Sequence, residues 1–243
     1  MFLSIFDIFK IGVGPSSSHT MGPMLASARF LDALRERWAR APDAPAPLRI
    51  EAVLRGSLAF TGKGHATDRA VVLGLLGFRP ETLDPDEAVR REAALRANAW
   101  IDVAGLPRIR FDAETGIVFD YGPPLPGHAN GMILRAFDAE GAPYFTETYY
   151  SIGGGFVLTA EELSGGDIKA VDASVLRPYP FGSAAEMLVM GAASRRSIAA
   201  MKRANETVGR GDAELDAGLD RIWASWMRAS IAVSPPRVRC RAA

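Results

Sequence analysis

The residue pattern predicts an α/β fold: a sandwich of a mixed or antiparallel sheet with covering helices, followed by a short all-helical segment. Between residues 48 and 150, apolar residues alternate at every second position over short stretches, as strands require. Before and between those stretches they recur at helical spacing, and after Leu163 the helical spacing stands alone. A length of 243 residues, 48% of them hydrophobic, suffices for one full core or for a core plus a small second unit.

In chain order, Phe2 to Ile11 is apolar and compatible with a short helix or a strand, and it ends at the breaker cluster Gly12-Val13-Gly14-Pro15. From Thr20 to Arg40, Met24, Ala28, Leu31, Leu34 and Trp38 share one side of an amphipathic helix. Ala41 to Pro47 carries three prolines and is a loop. Leu48 to Arg55 is a strand with Ile50, Ala52 and Leu54 on one face, and His65 to Gly77 is a largely buried helix capped by Thr67 or Asp68. Asp84-Pro85 is an N-cap with proline at the first helical position, opening a helix towards Trp100. Ile109–Asp112 and Ile117–Tyr121, joined around Glu114-Thr115-Gly116, predict a β-hairpin. Met132–Asp138 and Tyr144–Tyr150 are two further strands linked through Glu140-Gly141.

Beyond Leu163, Ser183-Ala184-Ala185-Glu186 is a capping box, and helices follow at Ser194–Thr207 and Asp212–Ile231. Leu215, Leu219, Ile222, Trp223 and Trp226 form the apolar side of the last one, a face that needs a partner. The expected division is an α/β domain over 1–160, a helical segment over 161–232, and a tail over 233–243 without periodicity, expected to be disordered.

Composition narrows the function classes. Twenty-eight basic and 28 acidic side chains cancel, which gives no electrostatic footprint for nucleic acid or an anionic membrane surface. The longest apolar run, Ala70 to Phe78, is too short for a membrane span, and the N-terminus lacks a basic region ahead of its apolar residues, so a soluble cytoplasmic protein is expected. One cysteine, Cys240, cannot by itself form an internal disulfide, a zinc site or an iron–sulfur site, and no metal site is expected in the chain.

Histidine titrates near neutrality, and all three histidines, His19, His65 and His128, lie in glycine-flanked polar loops. Glycine lets backbone approach a ligand, and loops carry functional residues more often than cores do. Three solvated loop histidines are the plain alternative. Lys63, between two glycines and two positions before His65, is a point charge suited to a carboxylate, or an ordinary surface lysine. Ser16-Ser17-Ser18-His19-Thr20 leads into a helix, where hydroxyls and free N–H groups favour an anion, although simple capping needs only one of those hydroxyls. Gly56 to Lys63 fails as a P-loop because the glycine spacing is one residue too long and Gly64 follows the lysine. Gly12-Val13-Gly14 lacks the third glycine of a dinucleotide fingerprint, and Gly-x-Ser-x-Gly is absent around Ser151. Gly153-Gly154-Gly155 marks a bulge or a hinge.

Ser4 to Met24, Gly56-Ser57-Leu58 with Thr61 to Asp68, His128 to Met132, Thr148 to Phe156 and Pro178-Tyr179-Pro180-Phe181 together resemble the bacterial iron–sulfur L-serine dehydratases of the single-chain type, in register from Phe2 to about Ile231. The resemblance implies L-serine as substrate, α,β-elimination to pyruvate and ammonia in amino-acid catabolism, and a [4Fe-4S] cluster acting as Lewis acid. It implies that 1–160 is the β domain and that 161–232 leads into an α domain, whose cysteines would hold the cluster and are not in this chain. It places Ser16, Ser17, Ser18, His19 and Thr20 along the substrate pocket, with Lys63 and His65 approaching from the second loop. His65 is then the preferred general base and His19 the second choice, while His128 and Asn130 bind substrate polar groups. Gly153 to Gly155 would mark the exit towards the α domain.

The segment Pro235 to Ala243 matches nothing in that family, so a truncated or frameshifted chain is expected, or else a short β-type chain that meets a separate α subunit. Cys240 lies in that tail and is not carried over as a ligand. The first function hypothesis is the substrate-facing part of an L-serine ammonia-lyase, inactive alone and expected to oligomerise with itself. A module that holds a small carboxylate without turnover is the second. An interaction scaffold built on Leu215 to Trp226 is the third, and weaker, because helical apolar stripes are usually core.

Overall fold

The computed structural model describes residues 4–41, 45–165 and 176–233, with side chains to 229. By internal packing the chain divides into two compact units, one of Gly12–Ile168 and one combining Met1–Ile11 with Lys169–Ala243. Residues 234–243 of the expected tail, Cys240 among them, lie outside the described residues.

The larger unit is built on β1, Arg49–Gly56. Ile50, Ala52 and Leu54 of this strand are at most 1% exposed, whereas Glu51 and Arg55 on the other face are half-buried. β1 runs antiparallel to β5 (Asn130–Phe137), with Ala52 opposite Leu134 and Leu54 opposite Met132. β5 pairs antiparallel with β6 (Pro143–Gly153) across the Glu140-Gly141 turn, and β6 with β7 (Phe156–Thr159). The β6–β7 turn is Gly153-Gly154-Gly155, all three at positive φ with a register shift beside them, which is the bulge reading of that glycine run. From β7 the chain enters α6 (Ala160–Ser164), capped by Thr159.

The other edge of β1 departs from the expected hairpin. β3 (Ile109–Arg110) and β4 (Ile117–Asp120) do not pair with each other; each runs parallel to β1, Arg110 beside Arg49 and Ile117 to Asp120 beside Ala52 to Arg55. Phe111, 1% exposed, anchors the connection in the core. Asp112 Oδ1 accepts the Glu114 and Thr115 N–H groups, so the turn steps the chain forward along β1 instead of reversing it. A short β2 (Trp100–Ile101) closes this edge against β3, and the seven-stranded sheet is mixed.

Helices cover the Ile50–Leu54 face. α2 (Gly22–Arg40) packs on β5, β6 and β7 and crosses α4 (Thr67–Leu75). The crossing is close because Gly74 has no Cβ; one placed there would meet the Met24 carbonyl at 2.3 Å. α5 (Pro85–Asn98) opens on Asp84, whose side chain accepts the Glu87 N–H, as the Asp-Pro pair predicts. Phe30, Leu31, Leu34, Ile50, Leu54, Val72, Leu75, Leu95, Leu134 and Tyr149 share the core, each large side chain removed from water contributing about 1.5–3 kcal/mol. The opposite face is mixed: it carries Val53, itself buried, beside Ile133, and the Arg135–Glu51 ion pair.

The smaller unit holds α1 (Ile5–Ile8), α7 (Ala184–Ser194), α8 (Ile198–Glu206) and α9 (Asp212–Val233). Ser183 accepts the Glu186 N–H, while Glu186 reaches past it to the Gly182 N–H. Glu206, 2% exposed, accepts from the Ser4 hydroxyl and the Ile5 N–H and pairs with Lys202. Phe6 packs over Gly218 of α9, where a Cβ would stand 2.4 Å from its ring. On the expected apolar side of α9, Leu215 is buried, but Trp223 and Trp226 stack on each other while 61% and 57% exposed.

Candidate active site

Three loops of the larger unit converge at one end of the sheet, where Gly56 closes β1 opposite Asn130 at the start of β5. The first follows the cis Gly14-Pro15 bond. Ser16 starts one wide turn over Ser17–Met21, in which the Met21 N–H reaches back to the Ser16 carbonyl, and the turn runs straight into α2. Ser16 Oγ accepts the His19 N–H, and Ser18 Oγ lies 2.9 Å from His19 Nδ1.

The second loop leaves β1 through Gly56, at φ +58°, where a Cβ would come 2.2 Å from the Ala129 carbonyl; only glycine fits. α3 (Ser57–Phe60) follows, then a tight turn at Lys63–His65 and Ala66 in the left-handed region ahead of α4. Neither Thr67 nor Asp68 caps α4, as the sequence had suggested; the residue ahead of it is Ala66, and the hydroxyl of Thr67 goes elsewhere. The third loop carries His128 and is tied to the second by the Ser57 N–H, which donates to the Ala129 carbonyl at 2.9 Å.

His19 and His65, 46 positions apart in sequence, meet with ring centroids 4.8 Å apart. Two threonines lock them together: Thr67 Oγ1 donates to the His19 carbonyl at 2.6 Å, and Thr20 Oγ1 donates to the His65 carbonyl at 2.9 Å. Thr67 is fully buried and Thr20 is 4% exposed, so these bonds sit in dry surroundings where losing one leaves an unpaired group. His19 Nε2 lies 3.0 Å from Ser57 Oγ. Burial pushes the His19 imidazole below its ordinary pKa, the neighbouring His65 pushes it the same way, and an interaction with the Ser57 backbone opposes both.

The partners of the other two histidines assign opposite tautomers to the neutral rings. His65 Nδ1 lies 2.9 Å from the Thr61 carbonyl, which can only accept, so Nδ1 carries the proton and Nε2 keeps its lone pair. His128 Nδ1 instead accepts the Asn130 N–H, so Nε2 carries the proton and is a donor. Asn130 Nδ2 donates to the Ser151 carbonyl, and Ser151 Oγ is buried against Gly22 with no partner among the described residues.

Ser16, Ser18, His19, Thr20 and His65 thus form one connected cluster, with Ser17 exposed beside it. His128 and Asn130 join it through the backbone link to Ser57. Lys63 is 67% exposed at its side chain, pairs with Asp68 at 2.8 Å and lies over the Phe119 ring. Thr20 spends its hydroxyl inside the cluster, where it also accepts the Ser16 N–H. Sequence reasoning missed Ser57 and the clasp of Thr67: the first sat in a motif without an assigned role, and the second resembled a helix cap. Among the described residues no group of three or more His, Cys, Asp or Glu side chains converges as a metal-ligand set. A groove of about 430 Å³ between the end of α2 and the start of β6 is lined by Arg37, Arg40, Tyr144 and Phe145, and no histidine borders it.

Residues 4–162 match the family model of the serine dehydratase beta chain. The chain is 43% identical over 223 residues to the L-serine dehydratase of Streptomyces coelicolor, covering 92% of this chain and 48% of that protein. It is 40% identical over 222 residues to L-serine dehydratase TdcG of Escherichia coli, covering 91% and 47%. Against an L-serine dehydratase of Helicobacter pylori the identity is 41% over 206 residues, covering 84% and 43%. The chain therefore spans about half the length of the curated relatives it matches. A match that takes in all three converging loops, with relatives of this similarity beside it, means that the chain belongs to the serine dehydratase beta chain family.

Proposed function

We propose that this chain supplies the substrate-facing groups of an L-serine ammonia-lyase, which converts L-serine to pyruvate and ammonia by α,β-elimination. The observation that carries the reading is His65 held by the Thr61 carbonyl with Nε2 open, 4.8 Å from the ring of His19. An imidazole lone pair near neutral pH is the group such a proton abstraction needs, and general bases contribute about 10²–10⁴-fold. His65 Nε2 takes the α-proton, and the β-hydroxyl departs with a proton as water. The resulting aminoacrylate becomes the imine, which water hydrolyses to pyruvate and ammonia. His128, with its Nε2–H, and Asn130 donate to substrate oxygens. The Ser16-Ser17-Ser18 hydroxyls receive the carboxylate and ammonium, Lys63 exchanges Asp68 for the substrate carboxylate, and Thr20 holds the His65 turn.

His19, whose proton affinity is lowered by burial first and by the neighbouring His65 second, is the second candidate for the base. The described residues do not fit as ligands of a [4Fe-4S] cluster, since they offer no converging set of ligand side chains and Cys240 lies outside them. In this reading the cluster belongs to an α domain or α subunit, and the assembled enzyme is a cytoplasmic homo-oligomer. No described helix is long and apolar enough to cross a membrane.

The test is complementation. The chain is mixed anaerobically with the remaining half of the Streptomyces coelicolor relative, supplied with iron and sulfide, and assayed for pyruvate from L-serine. Pyruvate from the mixture and none from either part alone is expected. Binding of L-serine by the mixture without pyruvate would favour a module that holds small carboxylates and would overturn the lyase reading.

A further inference from the structure

Ser57 stands where a nucleophile would. β1 ends in Gly56, whose φ of +58° and ψ of −132° turn the chain sharply, and α3 begins at the next residue. A serine on such a strand-to-helix turn is held outward with little freedom, and the constellation is recognised by geometry and not by its letters. Arg55 and Ala59 occupy the positions where the familiar motif has glycines, so the sequence gives no hint of it. The Ser57 backbone is fixed on both sides: its N–H donates to the Ala129 carbonyl, and its carbonyl accepts the Thr61 N–H and the Thr61 hydroxyl. Ser57 is half-buried, not sealed in the core.

The geometry points to Ser57 as a reactive serine, with His19 as its base, that takes an acyl group from activated carboxylic esters. His19 Nε2 is 3.0 Å from Ser57 Oγ, within reach for proton transfer. Ser18 Oγ, 2.9 Å from His19 Nδ1, occupies the orienting position on the far side of the ring. A neutral His19 can accept a proton, and the depressed affinity of this imidazole for protons keeps it neutral at physiological pH. Ser18 is the less suitable nucleophile because it adjoins His19 in the same turn, whereas Ser57 approaches from another element on a rigid backbone.

The step balances without a cofactor. Ser57 Oγ bonds to the ester carbonyl carbon while its proton passes to His19 Nε2. The tetrahedral adduct collapses, the bond from the carbonyl carbon to the leaving oxygen breaks, and the phenolate departs with the electron pair. His19 then gives the proton it took to solvent. Its neutral ring accepts a proton from water as the hydroxide attacks the acyl carbon. The bond from that carbon to Ser57 Oγ breaks, His19 passes the proton back to Oγ, and the acid is released. An aryl ester suits the site because its phenolate leaves without being protonated first.

p-Nitrophenyl acetate is the probe, applied to the full chain without any partner, so the outcome does not depend on the lyase reading. The predicted result is a burst approaching one equivalent of p-nitrophenolate per chain, with peptide mass spectrometry locating the acetyl group on Ser57. Ser57→Ala removes the burst, and His19→Gln slows acylation by about 10²-fold. Circular dichroism of both variants separates loss of reactivity from loss of fold, and the site of acetylation in the unaltered chain decides the matter even where a variant unfolds. Acetyl groups on lysines or the N-terminus only, or an unchanged rate in a folded His19→Gln, would overturn the assignment.

Discussion

At His19 both ring nitrogens face hydroxyls, Ser18 on one side and Ser57 on the other, while its carbonyl accepts from Thr67. Its proton affinity is lowered by burial first and by His65 second. Since the folded pKa lies below the ordinary value of 6.5, the folded state binds fewer protons than the unfolded chain near that pH. This contribution to stability is therefore complete above pH 6.5 and is lost as pH falls through the folded pKa. Ring-proton NMR is expected to show His19 titrating below 6.5, and a midpoint above that value would contradict the burial argument. The clasp makes a second prediction at this scale. Thr67→Val keeps the shape but strips the His19 carbonyl of its donor, at about 1–3 kcal/mol in denaturant unfolding, whereas Thr67→Ser retains most of the stability.

At the scale of elements, the glycines set how closely segments approach. Gly74→Ala would force α4 off α2, since the new Cβ falls 2.3 Å from the Met24 carbonyl, and a loss of about 1–3 kcal/mol is expected. A stability change within about 0.5 kcal/mol would mean that the helices separate freely there. Elements with a strong local signal were legible: the alternation of β1, the Asp84-Pro85 start of α5, the Glu140-Gly141 hairpin and the helical run from Gly22 to Arg40 all match their patterns. The β3–β4 hairpin was misread because a turn residue such as Asp112 shows that the chain bends, not which neighbour the next strand will choose. That choice was made by the open edge of β1, a long-range fact. The same limit hid part of the site. Three histidines in glycine-flanked loops stood out, but Ser57 and Thr67 matter through contacts 38 and 48 residues distant in sequence, which no local pattern encodes.

For the whole molecule, the N-terminal segment closes on helices some two hundred residues later. Ser4 and Ile5 reach Glu206 across separations of 202 and 201 residues. Burial alone would raise the Glu206 carboxyl, but the Ile5 N–H, the Ser4 hydroxyl and Lys202 together hold it below its ordinary value. A lowered folded pKa means that stability is present above 4.5 and is lost as pH falls through the folded value. Glu206→Gln should therefore unfold at a lower temperature than the unaltered chain near pH 7, with the gap closing below pH 4.5; a gap constant across pH would contradict the clasp. The exposed Trp223–Trp226 pair belongs to the same unit. The candidate site lies in the larger unit, and the hydrogen bonds of the His19–His65 cluster described above are made within it.

Under the proposed lyase function, His65 removes the α-proton of L-serine. The most direct test of that step is kcat/KM for pyruvate formation by the complemented enzyme, with unaltered chain and with His65→Ala, across pH 6 to 9. A loss of at least about 10²-fold is expected in the variant across that range, with a changed pH profile. Turnover by His65→Ala within about threefold of the unaltered chain, with the same pH profile, would contradict it.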